Sequence, residues 1–122
     1  MVICDLEAGV GTLLRMGEGQ VDVTLVIAET SAKSIEAARR AAEIASGRSR
    51  VIVIANRVRD DSDIEAVSAV LGAHEIVAVP EDPAIARADK DGVAPIDASP
   101  DAPGVRVITD LAARLTQELV AP

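Results

Sequence analysis

The sequence predicts an α/β fold, in which a doubly wound, mostly parallel sheet forms the middle of three layers. One observation is a set of nearly continuous apolar runs at residues 23–28, 51–55 and 76–79, rich in Val, Ile and Ala. Strands that are buried on both faces have this composition, and such strands are typical of parallel sheets. The second observation is that amphipathic helical patterns alternate with these runs, which favours right-handed strand–helix–strand crossovers.

The N-terminal part predicts one further strand and a long loop. Residues 1–4 (MVIC) are apolar and end at Asp5, which indicates a strand or the end of one. Four glycines follow between residues 6 and 21, so most of this stretch is expected to be loop. A short helical turn is predicted at residues 13–16.

Four helices are predicted after the second strand. The first spans residues 31–46, starts at Thr30 or Ser31, ends at Gly47 and has an apolar face formed by Ile35, Ala38, Ala42 and Ala45. The second opens with a capping box, Ser62 with Glu65, and ends at Gly72, with a stripe formed by Ile64, Val67 and Leu71. A short third helix starts at Pro83 and runs to about residue 89. Residues 92–104 are predicted to be loop, and the last helix spans residues 105–120 with a stripe formed by Ile108, Leu111, Ala112, Leu115 and Leu119.

Composition limits the function classes. The chain has 122 residues, which suits one domain over residues 1–122, and 49% of them are hydrophobic. It has no Phe, Tyr or Trp, and its net charge is -8, so neither base stacking nor phosphate neutralisation supports nucleic-acid binding. No apolar run approaches the length of a membrane span, and no signal peptide is predicted. The single cysteine, Cys4, is expected to be a small buried hydrophobe in a cytoplasmic protein.

Chemically distinctive residues follow three of the predicted strands. They are Asp5 after the first, Asn56 and Arg57 after the third, and Pro80-Glu81-Asp82 after the fourth. Ligands of open parallel sheets bind at the carboxyl ends of strands. An acidic residue there, followed closely by a glycine such as Gly9, suits Mg²⁺ and a phosphate, although aspartate at a strand end is also a common turn former.

Other familiar sites are excluded. The sequence has no G-x-x-x-x-G-K-[ST] motif, and residues 9–12 (GVGT) have no lysine before Thr12, so the chain has no phosphate-binding loop. His74, the only histidine, precedes a strand, so it lies away from the edge where a catalytic triad would form. The acidic cluster at residues 60–63 is interpreted as a solvated helix start that complements the helix dipole.

Taken in order, these segments resemble the C-terminal half of the MinD/ParA group of P-loop ATPases. The similarity is closest to the CooC-type members linked to nickel insertion into carbon monoxide dehydrogenase. The Walker B strand and switch II of that group resemble VICDLEAGVG, and its next strand and helix resemble VDVTLVIAETSAKSIEAARR. The family strand whose Asn binds adenine resembles VIVIANRV, and the segment that lines the adenine pocket resembles VAVPEDPAIARADKDGVAPI.

The resemblance implies a P-loop NTPase-like fold of which this chain is an incomplete half. It implies that Asp5 acts on Mg²⁺ through water and that Gly9 offers its N–H to the γ-phosphate of ATP. It implies that Asn56, with Arg57 beside it, binds adenine and that Pro80, Glu81 and Asp82 lie by the base. The implied partners are a second copy or the missing N-terminal half, and a metalloenzyme client.

The chain departs from the family in lacking the Walker A half, and in that fold the missing phosphate-loop strand lies between the Asp5 and Val23 strands. We therefore expect no ATPase activity from this chain alone, and a lone Cys4 does not match the paired cysteines with which CooC-type members bind metal. One alternative is a degenerate, non-catalytic module that binds or dimerises through an exposed sheet edge. The second alternative is a receiver-like domain, but this chain has Arg57 at the position where a receiver needs a lysine.

Overall fold

The computed structural model describes residues 1–6 and 10–120, without the side chain of Val120. Its elements are α1 (Gly11–Arg15), β1 (Val23–Ala28), α2 (Ala32–Ser46), β2 (Arg50–Val58), α3 (Asp61–Leu71), β3 (Glu75–Pro80), α4 (Pro83–Asp91), α5 (Pro95–Ala98) and α6 (Pro103–Val120). The residues group into two compact units, Val2–Ala78 and, together with Met1, Val79–Pro122. No helix among the described residues is both long and apolar enough to cross a bilayer.

The three strands form one sheet in the order β1-β2-β3. β1 and β2 pair in parallel, with a register that runs from Val23 opposite Arg50 to Ala28 opposite Ala55. Their side chains alternate between the two faces of the sheet. The predicted α/β class with a parallel sheet is confirmed.

The core of the first unit lies on one face of β1 and β2, against α2 and α3. All four predicted apolar residues of α2 are buried there, because their spacing places them on one side of the helix. Ser31 caps α2 by accepting a hydrogen bond from the Ser34 N–H, as the sequence predicts. On the opposite face Ile52 and Ile54 of β2 are buried, whereas Leu25 and Ile27 of β1 are 43% and 60% exposed.

The N-terminal prediction is wrong in two respects. Residues 1–6 form no strand, and the side chains of Val2 and Ile3 are 87% and 84% exposed. Cys4 is exposed rather than buried. An apolar run becomes a strand only when a neighbouring strand accepts and donates its backbone hydrogen bonds, and the sheet of the described residues ends at β1 on this side.

The start of α3 also differs from the prediction. Asp60 caps the helix, and its side chain accepts hydrogen bonds from the N–H groups of Ser62 and Asp63. Ser62 is therefore the second helical residue and not the cap. Asp63 is buried rather than solvated, since its carboxylate accepts hydrogen bonds from the backbone N–H and the guanidinium of Arg59.

In the second unit, α4 begins at Pro83 as predicted, but the following loop is shorter than expected. It contains α5, and α6 begins at Pro103 rather than at residue 105. Val105 and Leu115 are the buried apolar side chains among the described residues of α6. Ile108 and Leu119, which the predicted stripe includes, are 50% and 40% exposed, so the buried face of α6 is narrower than the apolar pattern.

Candidate functional site

The side chains of Glu29 and Asn56 meet at the carboxyl end of the β1–β2 pair. Glu29 directly follows β1, and Asn56 continues β2 beyond the last residue paired with β1. The Asn56 Nδ2 donates a partly buried hydrogen bond of 3.1 Å to the Glu29 Oε1. The parallel register therefore places a carboxylate and an amide side by side at the edge where α/β proteins bind ligands.

The backbone around Glu29 is held by the start of α2. The Glu29 N–H donates to the Ser34 Oγ at 2.9 Å, and the Ser34 N–H donates to the Ser31 Oγ at 3.2 Å. These two hydrogen bonds tie the turn between β1 and α2 to the first turn of the helix. Glu29 is consequently fixed through its backbone as well as through its side-chain contact.

Arg57 has an unusual backbone conformation directly beside Asn56. Its φ is 58°, in the left-handed region that side chains other than glycine rarely adopt. The strand nevertheless continues to Val58, so β2 is longer than the predicted residues 51–55. Strained conformations of this kind concentrate at binding and catalytic sites, where the surrounding structure maintains them.

Pro80 ends β3, and Glu81 and Asp82 connect it to α4. Asp82 is the N-cap of α4, with its Oδ1 accepting from the Ala84 N–H at 2.9 Å. Its Oδ2 accepts from the Gly104 N–H at 2.9 Å, which ties the start of α4 to the start of α6. The Asp82 carboxylate thus has a structural role, while the predicted roles of Pro80, Glu81 and Asp82 near a base stay predictions.

The predicted phosphate and metal residues have no built site among the described residues. Asp5 lies in the exposed segment that forms no strand, and Gly9 lies outside the described residues. No group of three or more His, Cys, Asp or Glu side chains that could hold a metal ion occurs in residues 1–6 and 10–120. Because Mg²⁺ bound with a nucleotide needs only one or two protein carboxylates, the role of Asp5 stays a prediction.

Glu29 was not among the residues predicted from the sequence. It follows residues 23–28 directly, and a parallel alignment of the apolar runs VTLVIA and VIVIA places it opposite Asn56, which was the signal that could have identified it. An open, mostly apolar depression of about 330 Å³ lies between α2 and α3, and it is lined by Thr30, Ala32, Ile35, Glu36, Ala66 and Val70. None of the predicted site residues lines it.

Comparisons with known proteins find similarity both in sequence and in fold. No family model matches the chain. An uncharacterized ATP-binding protein of Methanocaldococcus jannaschii is 28% identical over 120 residues, which cover 94% of this chain and 46% of that protein. The MinD cell division protein of Aquifex aeolicus superposes with a TM-score of 0.60 at 25% identity, over 78% of this chain and 44% of that chain.

The chain spans a little under half the length of both of these proteins. The structural likeness agrees with the α/β fold that the sequence predicts. Over that part, the chain has the α/β fold of MinD-like P-loop NTPases.

Proposed function

We propose that this chain supplies the adenine-binding portion of a MinD-like ATP-binding domain. The observation that carries the proposal is the placement of Asn56 at the carboxyl end of β2, with its amide held by Glu29 at 3.1 Å. An asparagine amide pairs with the N6 amine and N7 of adenine through one acceptor and one donor. The likeness to MinD and to an ATP-binding protein supports the same assignment.

The proposed roles in Mg²⁺ and phosphate binding, in assembly and in client maturation concern an ATP-binding domain of which this chain is one part. We propose that Asp5 acts on Mg²⁺ through water and that the Gly9 N–H contacts the γ-phosphate of ATP. We propose further that the chain acts as a homodimer or with an N-terminal half of the MinD/ParA type, and that it drives metallocentre maturation or positioning of a client. The resemblance of the sequence to CooC-type members supports the maturation role. Residues 7–9 of this chain, Glu7-Ala8-Gly9, lie outside the described residues. Hydrolysis would need a phosphate-binding lysine from outside residues 1–122, because phosphoryl transfer depends on positive charge around the γ-phosphate.

The experiment is a titration of the full chain with adenosine and with ADP, followed by backbone amide NMR and by calorimetry. We expect shifts centred on residues 29 and 56 and an affinity that falls about tenfold in Asn56→Ala, because a good bidentate pair contributes on the order of 1–3 kcal/mol. Gln20→Ala, which truncates an exposed amide side chain in the loop before β1, is the control and should bind like the wild type. Equal affinity in Asn56→Ala and the wild type would contradict the assignment.

A second candidate function is self-association through the edge of β1. β1 is an edge strand in the sheet of the described residues, and Leu25 and Ile27 on one of its faces are largely exposed. Edge strands with exposed apolar side chains pair readily with other chains. For this candidate we expect a dimer in sedimentation that Ile27→Lys dissociates, whereas Ile108→Lys on α6 leaves it intact; a monomer at all concentrations would exclude it.

A further inference from the structure

We infer that Glu29 is a positioning residue that fixes the orientation of the Asn56 amide and thereby makes the site prefer adenine over guanine. The inference rests on the proposed function, since it presumes that Asn56 contacts the base. It assigns a role to a residue that the sequence did not single out, and the contact between the two side chains supports it.

The chemistry of the pair settles which way the amide points. An ionised carboxylate only accepts hydrogen bonds, so the Asn56 Nδ2 must face Glu29. The reverse orientation would place the amide oxygen against a carboxylate oxygen and leave both without a donor. Glu29 therefore uses one Nδ2 hydrogen and leaves the Oδ1 and the second Nδ2 hydrogen for a ligand.

That remaining pair of groups distinguishes the two purines. Adenine presents an N6 donor and an N7 acceptor, which match one acceptor and one donor of the amide. Guanine presents two acceptors, O6 and N7. To pair with guanine, Asn56 would have to direct both Nδ2 hydrogens at the base, but Glu29 holds one of them.

Glu29 is suited to this role because the structure restrains it. Its backbone N–H is bonded to the Ser34 hydroxyl, and it is half-buried beside β2. A mobile surface carboxylate would impose little orientation, because ordering it on contact costs side-chain entropy. Because the contact with α2 already restrains Glu29 in the folded chain, this entropy is lost on folding and not on ligand binding.

The first test measures adenosine and guanosine affinity of the full chain in the wild type, Glu29→Gln, Glu29→Ala and Asn56→Ala. We expect a preference for adenosine of about tenfold in the wild type, in line with one bidentate base contact. Glu29→Gln keeps the size of the side chain but lets the Asn56 amide turn either way, so the preference should fall to within about twofold. Glu36→Gln, on the exposed side of α2, is the matched control and should keep the wild-type ratio.

A second readout needs no nucleoside. Asn56 is the only asparagine in the chain, so selective ¹⁵N-asparagine labelling gives one side-chain amide pair, free of the signals of Gln20 and Gln117. We expect one of the two protons to be shifted downfield and slow to exchange in the wild type and in Glu36→Gln, and to lose both properties in Glu29→Ala. Unchanged amide resonances in Glu29→Ala would overturn the positioning role.

The two proposals fail in different ways. If the wild type binds neither nucleoside, the proposed base-binding function is overturned, and the amide resonances still decide whether Glu29 orients Asn56. If adenosine is preferred and Asn56→Ala abolishes the preference while Glu29→Gln retains it, the function stands and the inference about Glu29 is overturned.

Discussion

Replacing Asp82 by alanine should destabilise the chain strongly, because the carboxylate satisfies backbone donors at two helix starts. The Oδ1 bonds the Ala84 N–H of α4 and the Oδ2 bonds the Gly104 N–H of α6, each at 2.9 Å. Loss of an N-cap costs about 1 kcal/mol, and a hydrogen bond to a charged group contributes about 1.5–3 kcal/mol. Asp82 is partly exposed and water can replace some of this, so we expect Asp82→Ala to lower the free energy of unfolding by about 2–3 kcal/mol.

Urea denaturation followed by circular dichroism measures this change, and a thermal midpoint lower by roughly 8–12 °C should accompany it. Asp82→Asn keeps one acceptor oxygen, so its loss should be about half as large. Asp89→Ala, which removes an exposed carboxyl group later in α4, is the control and should change the stability by less than about 0.5 kcal/mol. The structural role is refuted if Asp82→Ala unfolds within about 0.5 kcal/mol of the wild type, the range of ordinary surface substitutions.

Three further predictions concern packing, backbone strain and pH. Gly104→Ala should destabilise by about 1–2 kcal/mol in urea unfolding, because a Cβ there would lie 2.9 Å from the Ile85 Cδ1, and an Ile85→Val background should recover part of that loss. The free energy of unfolding of Arg57→Gly should exceed that of Arg57→Ala by about 1 kcal/mol, because a left-handed backbone with φ of 58° is unfavourable for alanine but not for glycine. Equal free energies would show that the strain is absent. The hydrogen bonds from Ser62 to Asp60 and from Arg59 to Asp63 hold the pKa of each carboxyl below its ordinary value of 3.8, so their stabilisation is complete above that value and is lost as the pH falls through the lowered pKa values. Asp60→Ser retains a capping oxygen without a titrating group, so unfolding between pH 6 and pH 2 should show a shallower loss for this variant, and an identical slope would contradict the assignment to Asp60.

Local patterns predicted much of the fold because the signals were short-range. The burial of Ile35, Ala38, Ala42 and Ala45 and the cap at Ser31 follow from helical spacing and from the chemistry of one hydroxyl. The cap of α3 was misplaced because Asp60 and Ser62 are both good caps, and only the backbone shows where the helix begins.

The candidate site was only half predictable. Asn56 follows an apolar run and is identified by type and position, whereas Glu29 matters only because the parallel register brings it opposite Asn56. The positive φ of Arg57 is a conformation that arginine rarely adopts, so residue type could not predict it. Asp82 was identified, but as a base contact, since its hydrogen bond to Gly104 spans 22 residues of sequence.

The N-terminal segment shows most directly that strand formation depends on a neighbour, and amide hydrogen exchange tests it. Val2 and Ile3 have high β propensity, yet they lie in an exposed segment that forms no strand, while Val51 to Ala55 are buried in β2. We expect the amides of residues 2–4 to exchange at the rate of an unfolded peptide. The amides of residues 51–55 should exchange slower by about a thousandfold or more, in proportion to a global stability of several kcal/mol. Protection at residues 2–4 in the isolated chain would mean that they pair with a strand, and the reasoning from a missing neighbour would then be wrong. If protection appears there only when an N-terminal half is supplied in trans, the apolar pattern of MVIC predicted a strand correctly but one that forms only in the presence of its neighbour.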